Sequence, residues 1–486
     1  DDDQSIYGWR GACIENIRTF QRDYADAELI RLEQNYRSTS AILQAANAVI
    51  ANNGDRLGKN LWTERPNGDP IRVYAAFNDL DEAHYIARTL DDRFRAGTAR
   101  RDMAILYRSN AQSRVLEEAL LRAQIPYRIY GGLRFFERAE IKNAVGYLRL
   151  MQQRDDDTAF ERVVNTPTRG IGDKTLELLR QVTREEKISL WAAAEAVLKG
   201  KLLPTLASGK LAAFLQLIET LDLNTREVPL GELIEAVIEQ SGLVLHHQKE
   251  KGEKGQARVE NLRELISAAR EFEVEDDEAP SALAAFLDHA ALEAGEQQAG
   301  EFEDAVQLMT LHAAKGLEFP IVFLAGFEEG LFPHEMSLKD GNIEEERRLC
   351  YVGITRAMRE LYITYAEVRR LYGSENHHVP SRFLREMPET LLEPVRVKSV
   401  PSAMSYRGGS SVPNSALPAN LKQTSLGGDA TGDGSWSLGQ RVAHPRFGEG
   451  VILAFEGNGP NARIQVNFAD LGSKWLVAQY ARLTRI

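Results

Sequence analysis

Four short stretches of the 486-residue chain hold polar, aromatic and glycine residues at a density that core packing does not require. They are residues 3–12 (DQSIYGWRGA), 32–38 (LEQNYRS), 310–319 (TLHAAKGLEF) and 351–357 (YVGITRA). The second and fourth contain Arg37 and Arg356, and fixed guanidinium groups can stabilise the charge that spreads over phosphoryl oxygens during transfer. Taken singly, Arg37 could equally form a salt bridge at the start of a helix, and Tyr36 could be a core aromatic residue.

An aromatic and basic cluster, Tyr7, Trp9 and Arg10, lies in a stretch that we predict to be an irregular loop. Aromatic faces bind unpaired bases without sequence preference, at about 1–3 kcal/mol per stacked base. The cluster is therefore a candidate site for single-stranded nucleic acid. The alternative is that Trp9 packs in a domain core, since tryptophan is usually partly buried.

Together the four stretches resemble motifs III, IV, V and VI, in that order, of the UvrD/PcrA/Rep group of superfamily 1 DNA helicases. Residues 106–114 (LYRSNAQSR) and the C-terminal tail resemble the same group, so the resemblance spans essentially the whole chain. It implies an ATP-dependent 3′–5′ DNA helicase that translocates on single-stranded DNA and unwinds duplex in repair and replication. ATP and Mg²⁺ are the cofactors that it implies.

The resemblance also assigns roles on the nucleotide side. It makes Arg37 and Arg356 the arginine fingers of a second RecA-like domain, and Gln4 the sensor of the γ-phosphate. The nucleotide-binding residues that it implies are Tyr36, which would stack on the adenine, Glu318, which would hold the ribose hydroxyls or the cleft, and Gly316.

On the DNA side, the resemblance makes Trp9 a base-stacking residue, with Tyr7 and Arg10 beside it. It extends the DNA-binding set to Arg108, Asn110, Arg114 and His312. The first three follow a predicted strand and begin a predicted helix, where polar groups can meet phosphates. A single histidine such as His312 would ordinarily be a plain surface or core residue.

Residues 166–175 (TPTRGIGDKT) superficially suggest a phosphate-binding P-loop. That motif needs a glycine directly before its lysine, and Asp173 stands there instead, so we reject the interpretation. The turn resembles the duplex-contacting loop of the helicase group, in which the backbone amides of Gly170 and Gly172 would approach DNA phosphates. An ordinary tight turn is the alternative.

Two motifs of the resembled enzymes do not occur in the sequence: a Gly-x4-Gly-Lys-Ser/Thr P-loop and the acidic pair that positions magnesium. We expect that the sequence begins inside motif III, that the magnesium ligands precede Asp1, and that the chain alone is not an active ATPase. We also expect residues 1–33 to be loosely held.

Composition sets broader limits. The net charge is −12, which by itself argues against nucleic-acid binding, although local patches decide binding in a large protein. The two cysteines, Cys13 and Cys350, lack ligand spacing, so we expect no disulfide and no zinc, two small buried side chains, and a reducing, cytoplasmic setting. No apolar run is long enough to cross a bilayer, and we expect no membrane partner.

The elements that must position these residues alternate between strands and helices from residue 34 to 130, with buried strands at residues 71–74 and 103–107. Helical patterns replace strands from residue 131 to 300, and strands return at residues 306–311, 321–324 and 361–365. A charged helix is predicted around residues 344–358, between the last two strands. The fold class is therefore α/β with a parallel sheet, interrupted by an all-α insertion.

The predicted organisation has six parts. Residues 1–33 are a remnant of a first RecA-like motor domain, and residues 34–130 and 301–389 form the second. Residues 131–300 are the helical insertion, residues 390–435 are a flexible linker, and residues 436–486 are a small β-barrel. This tail carries six basic and three acidic residues and resembles the Tudor-like module of the helicase group.

Alternative functions remain. A helicase–nuclease is disfavoured because the chain ends in a linker and a basic β-module rather than in clustered carboxylates. A non-catalytic fragment that binds DNA and docks on RNA polymerase is the runner-up, since the Tudor-like tail implies a protein partner. The expected partners are single-stranded DNA, single-strand/duplex junctions and RNA polymerase, with repair proteins and self-association as further possibilities.

Overall fold

The computed structural model describes most of the chain, in two compact units, Asp1–Val400 and Pro401–Ile486. The described residues are 1–8, 11–24, 26–54, 56–250, 252–272, 281–295, 303–371, 374–395, 441–444, 448–456, 463–468, 472–477 and 483–485.

In the first unit, seven strands of the described residues form one fully parallel sheet in the order β3-β4-β2-β5-β6-β1-β9. The strands are β1 (Ile71–Ala76), β2 (Met103–Tyr107), β3 (Tyr127–Ile129), β4 (Val306–Thr310), β5 (Phe319–Leu324), β6 (Ala357–Ala366) and β9 (Leu392–Pro394). A separate antiparallel hairpin joins β7 (Val368–Leu371) and β8 (Ser374–His377).

Helices cover both faces of this sheet, which is why its central strands are apolar throughout. On β2, Ala104 and Leu106 belong to the core that packs with α3 (Ser40–Ile50) and α16 (Ile343–Ile354). Met103, Ile105 and Tyr107 belong to the opposite core, with α4 (Asp79–Arg95) and α5 (Ser113–Arg122). Successive side chains of a strand point to opposite faces, so one short segment serves two cores.

Nine α-helices of the described residues come between β3 and β4 in the chain and share a third core. They are α6 (Ala139–Gln152), α7 (Asp157–Val163), α8 (Asp173–Glu186), α9 (Leu190–Lys199), α10 (Thr205–Thr225), α11 (Leu230–Gln240), α12 (Leu243–Gln248), α13 (Glu253–Glu271) and α14 (Ala282–Gly295). The remaining short helices are α1 (Glu15–Arg18), α2 (Phe20–Asp23), α15 (Glu335–Lys339) and α17 (Arg382–Arg385). An α/β fold with a parallel sheet and a helical insertion is therefore present, as predicted.

One predicted element differs in a way that matters for the site. The charged helix was expected to run over residues 344–358, but α16 ends at Ile354 and β6 begins at Ala357. The amide of Thr355 still donates to the carbonyl of Tyr351, and the amide of Arg356 donates to Gly353 instead. Arg356 therefore lies in the tight junction between a helix and a strand.

The expectation that residues 1–33 are loosely held is wrong for the first seven residues. Ile6 is fully buried, and the Asp3 carboxylate forms a two-point ion pair with Arg56, with nitrogen–oxygen distances of 2.8 and 2.6 Å. Asp2 accepts a hydrogen bond from the amide of Leu57 at 2.9 Å. From residue 11 to 32, in contrast, most described side chains are exposed.

In the second unit the described residues form a five-stranded antiparallel sheet in the order β13-β12-β11-β10-β14. Its strands are β10 (Arg441–His444), β11 (Gly448–Glu456), β12 (Arg463–Phe468), β13 (Gly472–Val477) and β14 (Thr484–Arg485). Val442, Ile464 and Val466 are its buried core. A small β-barrel was predicted for residues 436–486; the described strands there form this antiparallel sheet, and its closure into a barrel stays a prediction. The predicted linker, residues 390–435, lies outside the described residues from residue 396 onward.

Two expectations from composition can be compared with the structure. Neither cysteine forms a disulfide, and Cys350 is buried as expected, but Cys13 is exposed, so it is not a buried apolar residue. None of the helices in the described part of the chain is long and apolar enough to cross a membrane.

Candidate functional site

The loop before α3 holds Arg37 in a fixed geometry. The Asn35 carboxamide oxygen accepts hydrogen bonds from the amides of Arg37 (2.8 Å) and Ser38 (2.9 Å), which is the local turn that asparagine favours. The buried Ser38 hydroxyl donates to the carbonyl of Ala357 at 2.6 Å. This last bond joins the loop to the start of β6, directly beside Arg356.

Arg356 is 1% exposed, although it carries a charged side chain. Its guanidinium donates to three protein oxygens, the carbonyls of Val352 (3.0 Å) and Leu317 (2.9 Å) and the Thr355 hydroxyl (3.1 Å). Burial, together with the positive charge of Arg37, lowers the pKa of Arg356 to about 10.

Arg37 reaches the same place from the other side. One of its terminal nitrogens donates to the carbonyl of Thr355 at 3.3 Å, and its Nε forms an ion pair with the Glu318 carboxylate. The Arg37 and Glu318 side chains remain partly exposed, at 27% and 48%. Glu318 is therefore placed to compete with an external anion for Arg37.

Two further residues predicted to bind nucleotide are close to this site in the sequence. Tyr36 directly precedes Arg37, and Gly316 lies two residues before Glu318. Tyr36 is 72% exposed and donates from its hydroxyl to Gln34 at 2.7 Å, so its ring is available for stacking rather than packed in a core. Gly316 has φ +91°, a conformation that favours glycine, and it ends the turn that leads to Glu318. The structure thus brings Arg37, Arg356 and Glu318 together.

Gln4 lies in a short 3-10 helix that begins at Asp2. Its carboxamide nitrogen donates to Asp1 at 3.0 Å, and its carbonyl accepts from the Lys315 ammonium at 2.9 Å. Lys315 comes directly before Gly316, so Gln4 is linked through its backbone to the loop that carries Glu318. The side chain itself is turned to Asp1 and touches neither arginine in the described contacts.

Magnesium does not fit the described residues of this site. Glu318 supplies a carboxylate there, but it is paired with Arg37. The carboxylates of Asp1, Asp2 and Asp3 lie within 4.8 Å of one another, yet Asp3 is ion-paired with Arg56 and Asp2 is hydrogen-bonded to a backbone amide. We therefore assign no Mg²⁺ ligand among them.

A second group of predicted residues lies where neighbouring parallel strands end. Asn110 follows β2 and is exposed, and His312 follows β4 and is half-buried. The Tyr7 hydroxyl donates to the carbonyl of His312 at 3.3 Å, and the Lys315 ammonium lies 5.2 Å from the centre of the Tyr7 ring. Tyr7, His312 and Asn110 therefore share the carboxyl edge of the sheet. Trp9 and Arg10, predicted to act beside Tyr7, lie outside the described residues.

Two arginines predicted to meet DNA have other partners. Arg108 forms a buried ion pair with Glu346, with a shortest distance of 2.7 Å. Arg114 is 6% exposed and pairs with Glu264 (2.6 Å) and Glu271 (2.7 Å) of the helical insertion. The described contacts of both guanidinium groups are therefore ion pairs with carboxylates of the protein, and the predicted DNA contacts stay a prediction.

The predicted duplex-contacting loop leads into α8. Gly170 has φ +74°, and the Lys210 ammonium lies 3.4 Å from its carbonyl. Gly172 is the residue before α8, with φ −89° and open space where a Cβ would stand. The Asn165 side chain accepts from the amides of Arg169 and Ile171, which fixes the loop. Both glycines therefore expose backbone at the start of a helix, as a phosphate contact would need.

Three residues of the site escaped the sequence analysis. Thr355 and Lys315 lie inside the motif stretches, so their positions beside Arg356 and Gly316 were a usable signal. For Arg56 the sequence offered no such signal, because its partner Asp3 lies 53 positions away in the chain and nothing local marks the pair.

A parallel α/β sheet with two converging arginines at one place and polar and aromatic residues along its carboxyl edge is the arrangement expected of a nucleic-acid motor. Three family models match the chain: the UvrD-like helicase C-terminal domain over residues 30–368, the PcrA/UvrD tudor domain over residues 438–485, and the UvrD/REP helicase N-terminal domain over residues 1–25. The chain belongs to the UvrD/PcrA family of helicases.

Relatives named as helicases align along the whole chain. The chain is 55% identical to DNA helicase II of Escherichia coli (strain K12), 53% to DNA helicase II of Haemophilus influenzae, and 41% to the ATP-dependent DNA helicase PcrA of Bacillus subtilis (strain 168). Each alignment covers 100% of the chain and 66%, 65% and 66% of the relative, respectively. The chain therefore spans about two thirds of the length of these relatives.

Proposed function

We propose that the chain is the arginine-bearing part of an ATP-dependent 3′–5′ DNA helicase that translocates on single-stranded DNA and unwinds duplex in repair and replication. The observation that carries the proposal is the convergence of Arg37 and Arg356 on Thr355, with Arg356 buried against neutral oxygens. Membership of the UvrD/PcrA family supports the DNA substrate and the ATP dependence.

In this proposal the two arginines do the electrostatic work of phosphoryl transfer. Charge develops on the γ-phosphate oxygens of ATP, and a preorganised guanidinium stabilises it without having to move first. Arg356 is held by three hydrogen bonds and is preorganised in this sense. Arg37 would become available when it exchanges Glu318 for the phosphate. Tyr36 would stack on the adenine, Gln4 would report the γ-phosphate, and Mg²⁺ would bind outside the described residues of this site.

The single strand would pass along the carboxyl edge of the sheet, over Tyr7, His312 and Asn110; Trp9 and Arg10, which lie outside the described residues, stay proposed DNA contacts. The loop with Gly170 and Gly172 would contact the phosphates of the duplex ahead of a single-strand/duplex junction. We infer that cycles of nucleotide binding and release move the strand past the aromatic residues. A cytoplasmic, nucleoid-associated setting follows from this substrate.

The sequence contains no Gly-x4-Gly-Lys-Ser/Thr. We therefore propose that the 486-residue polypeptide binds single-stranded DNA but needs a P-loop from outside these residues for ATP turnover. The test is to purify the polypeptide and measure ATP hydrolysis with and without oligo(dT), using its Arg356→Ala variant as background. DNA-stimulated turnover above that background would contradict the proposal.

DNA binding itself is tested by salt titration of oligo(dT) affinity. Phosphate contacts make log affinity fall linearly with log salt, by about 0.7 per contact for single strands. If the affinity did not depend on salt, or if no binding were measured, the DNA-binding part of the proposal would be wrong.

The second candidate is a non-catalytic fragment that binds DNA and docks on RNA polymerase. The match of residues 438–485 to a tudor domain model favours a protein partner for the tail. Deleting residues 436–486 is expected to abolish capture of RNA polymerase and to leave oligo(dT) affinity unchanged. Repair proteins and a second copy of the chain are further candidate partners, which the same deletion would separate from DNA binding.

A further inference from the structure

An exposed aromatic residue outside the predicted site lies at the end of the edge strand β3. Tyr130 is 46% exposed, and it opens a run of four exposed residues that ends at Leu133. Its amide donates to the carbonyl of Leu308 at 2.8 Å, so the backbone is still held by β4. The Tyr130 side chain is therefore presented from a rigid strand end.

Core packing does not account for Tyr130. Side chains alternate along a strand, and Tyr127 and Ile129 are the β3 residues that point into the core, at 9% and 6% exposure. Arg128 and Tyr130 follow the opposite alternation and are not part of that core. That core does not need the Tyr130 ring, which is open to a ligand.

The turn after Tyr130 lies against the loop that holds the proposed DNA contacts. Gly131 has φ +74°, and a Cβ placed on it would lie 3.8 Å from the Cβ of Ala313. Ala313 comes directly after His312, whose carbonyl binds the Tyr7 hydroxyl. Because β3 and β4 are neighbours in the sheet, Tyr130 extends the edge lined by Tyr7 and His312 by one strand.

We propose that Tyr130 is a base-stacking residue for single-stranded DNA, one strand further along the same edge than His312. The inference rests on the proposed function, since it needs the strand to pass over His312. An exposed phenol ring can stack on an unpaired base without sequence preference. Stacking adds no contact with a phosphate, so it does not contribute to the salt dependence of binding.

The test measures the affinity of the full 486-residue chain for dye-labelled oligo(dT) by fluorescence anisotropy. Tyr130→Ala is expected to weaken binding by roughly 5- to 150-fold, the range that stacking energies give. Tyr130→Trp is expected to retain or improve the affinity because the aromatic face is kept. The slope of log affinity against log salt should be the same in all three proteins.

Phe77 provides a matched control. It is also 46% exposed and follows a strand at the same edge of the sheet, but β1 lies five strands from β3, roughly 24 Å away. Phe77→Ala should leave the affinity unchanged, and thermal melting should show both alanine variants folded.

A second measurement replaces single nucleotides of the oligonucleotide by abasic sites and compares the affinities. If Tyr130 had only a structural role, the loss of one base would affect the unaltered chain and Tyr130→Ala equally. One abasic position should weaken binding to the unaltered chain and have no effect on Tyr130→Ala. Equal affinities of the unaltered chain and Tyr130→Ala would overturn the inference alone. Absence of any oligo(dT) binding by the unaltered chain would overturn the proposed function as well.

Discussion

Arg37 and Arg356 both donate a hydrogen bond to Thr355, the first to its carbonyl oxygen at 3.3 Å and the second to its hydroxyl at 3.1 Å. Two like charges are thereby held close together, and burial together with the charge of Arg37 lowers the pKa of Arg356. Such an arrangement is unfavourable for stability alone and favourable for binding a multiply charged anion.

The first prediction concerns catalysis by Arg356. In E. coli DNA helicase II with its aligned residues replaced by this chain, Arg356→Lys should lower kcat for ATP by about 10³-fold or more, because a bidentate planar cation is lost. DNA-stimulated phosphate release measures it. Arg382→Ala, which removes an exposed ion pair with Glu329, is the control and should leave kcat unchanged. Unaltered kcat in Arg356→Lys would contradict the assignment.

The second prediction separates a DNA contact from a structural arginine. Asn110→Ala should weaken oligo(dT) binding and leave the melting temperature unchanged, because Asn110 is exposed at the sheet edge. Arg114→Ala should lower the melting temperature and leave the salt slope of DNA binding unchanged, because it removes the ion pair of the buried Glu264 and the ion pair with the half-buried Glu271. If Arg114→Ala instead lowered the salt slope of DNA binding and left the melting temperature unchanged, Arg114 would be a DNA contact.

The third prediction concerns the two glycines before α8. Gly170→Ala should destabilise the protein by about 1 kcal/mol, because an L residue is strained at φ +74°. Gly172→Ala meets open space at φ −89° and should fold normally, yet its methyl group should crowd a duplex phosphate and weaken junction binding. Urea unfolding and junction-binding titrations distinguish the two. If Gly172→Ala bound junctions normally, the loop would be an ordinary tight turn and not a duplex contact.

The fourth prediction concerns pH. Burial raises the pKa of Glu346, but the Arg108 guanidinium and hydrogen bonds outweigh it, so the folded-state pKa lies below the ordinary 4.5. The resulting stability is present above pH 4.5 and is lost as pH falls through the lower folded value. Glu346→Gln should therefore cost about 3 kcal/mol at pH 7 and progressively less towards pH 3. Urea unfolding at several pH values measures this.

The control for that series is Glu335→Gln, which removes an exposed pair with Lys339. It should cost no more than about 1 kcal/mol at any pH. A Glu346→Gln penalty that stays constant with pH would show that the carboxylate charge is not what stabilises this junction.

The fifth prediction concerns the first seven residues. Arg56→Ala should release them, because it removes both hydrogen bonds to the buried Asp3 carboxylate. Hydrogen–deuterium exchange of residues 1–8 should rise. Arg95→Ala, which removes an exposed pair with Asp91, is the control and should not change it. Unchanged exchange in Arg56→Ala would mean that burial of Ile6 and the remaining hydrogen bonds of Asp2 and Gln4 are enough to hold the segment.

The sheet and its helices were largely accessible from sequence. Residues 103–107 are apolar throughout, and Ser113–Arg122 has a clear helical period, so local pattern alone located β2 and α5. The short strands β3 and β9 were missed, because three residues carry too little periodicity. The end of α16 was placed too late, since Thr355 and Arg356 continue a helical pattern that the strand at Ala357 interrupts.

By itself the sequence determined which residue types are present and in what order, and that was enough for the α/β class, the helical insertion and the resemblance to helicases. It could not determine what each side chain pairs with. Arg114 and Arg356 look alike as letters in a motif, but one is neutralised by carboxylates 150 and 157 positions away, and the other meets only neutral oxygens. Charge compensation depends on distance in space, so only the tertiary structure decided which arginine is paired with carboxylates and which is bound by neutral oxygens.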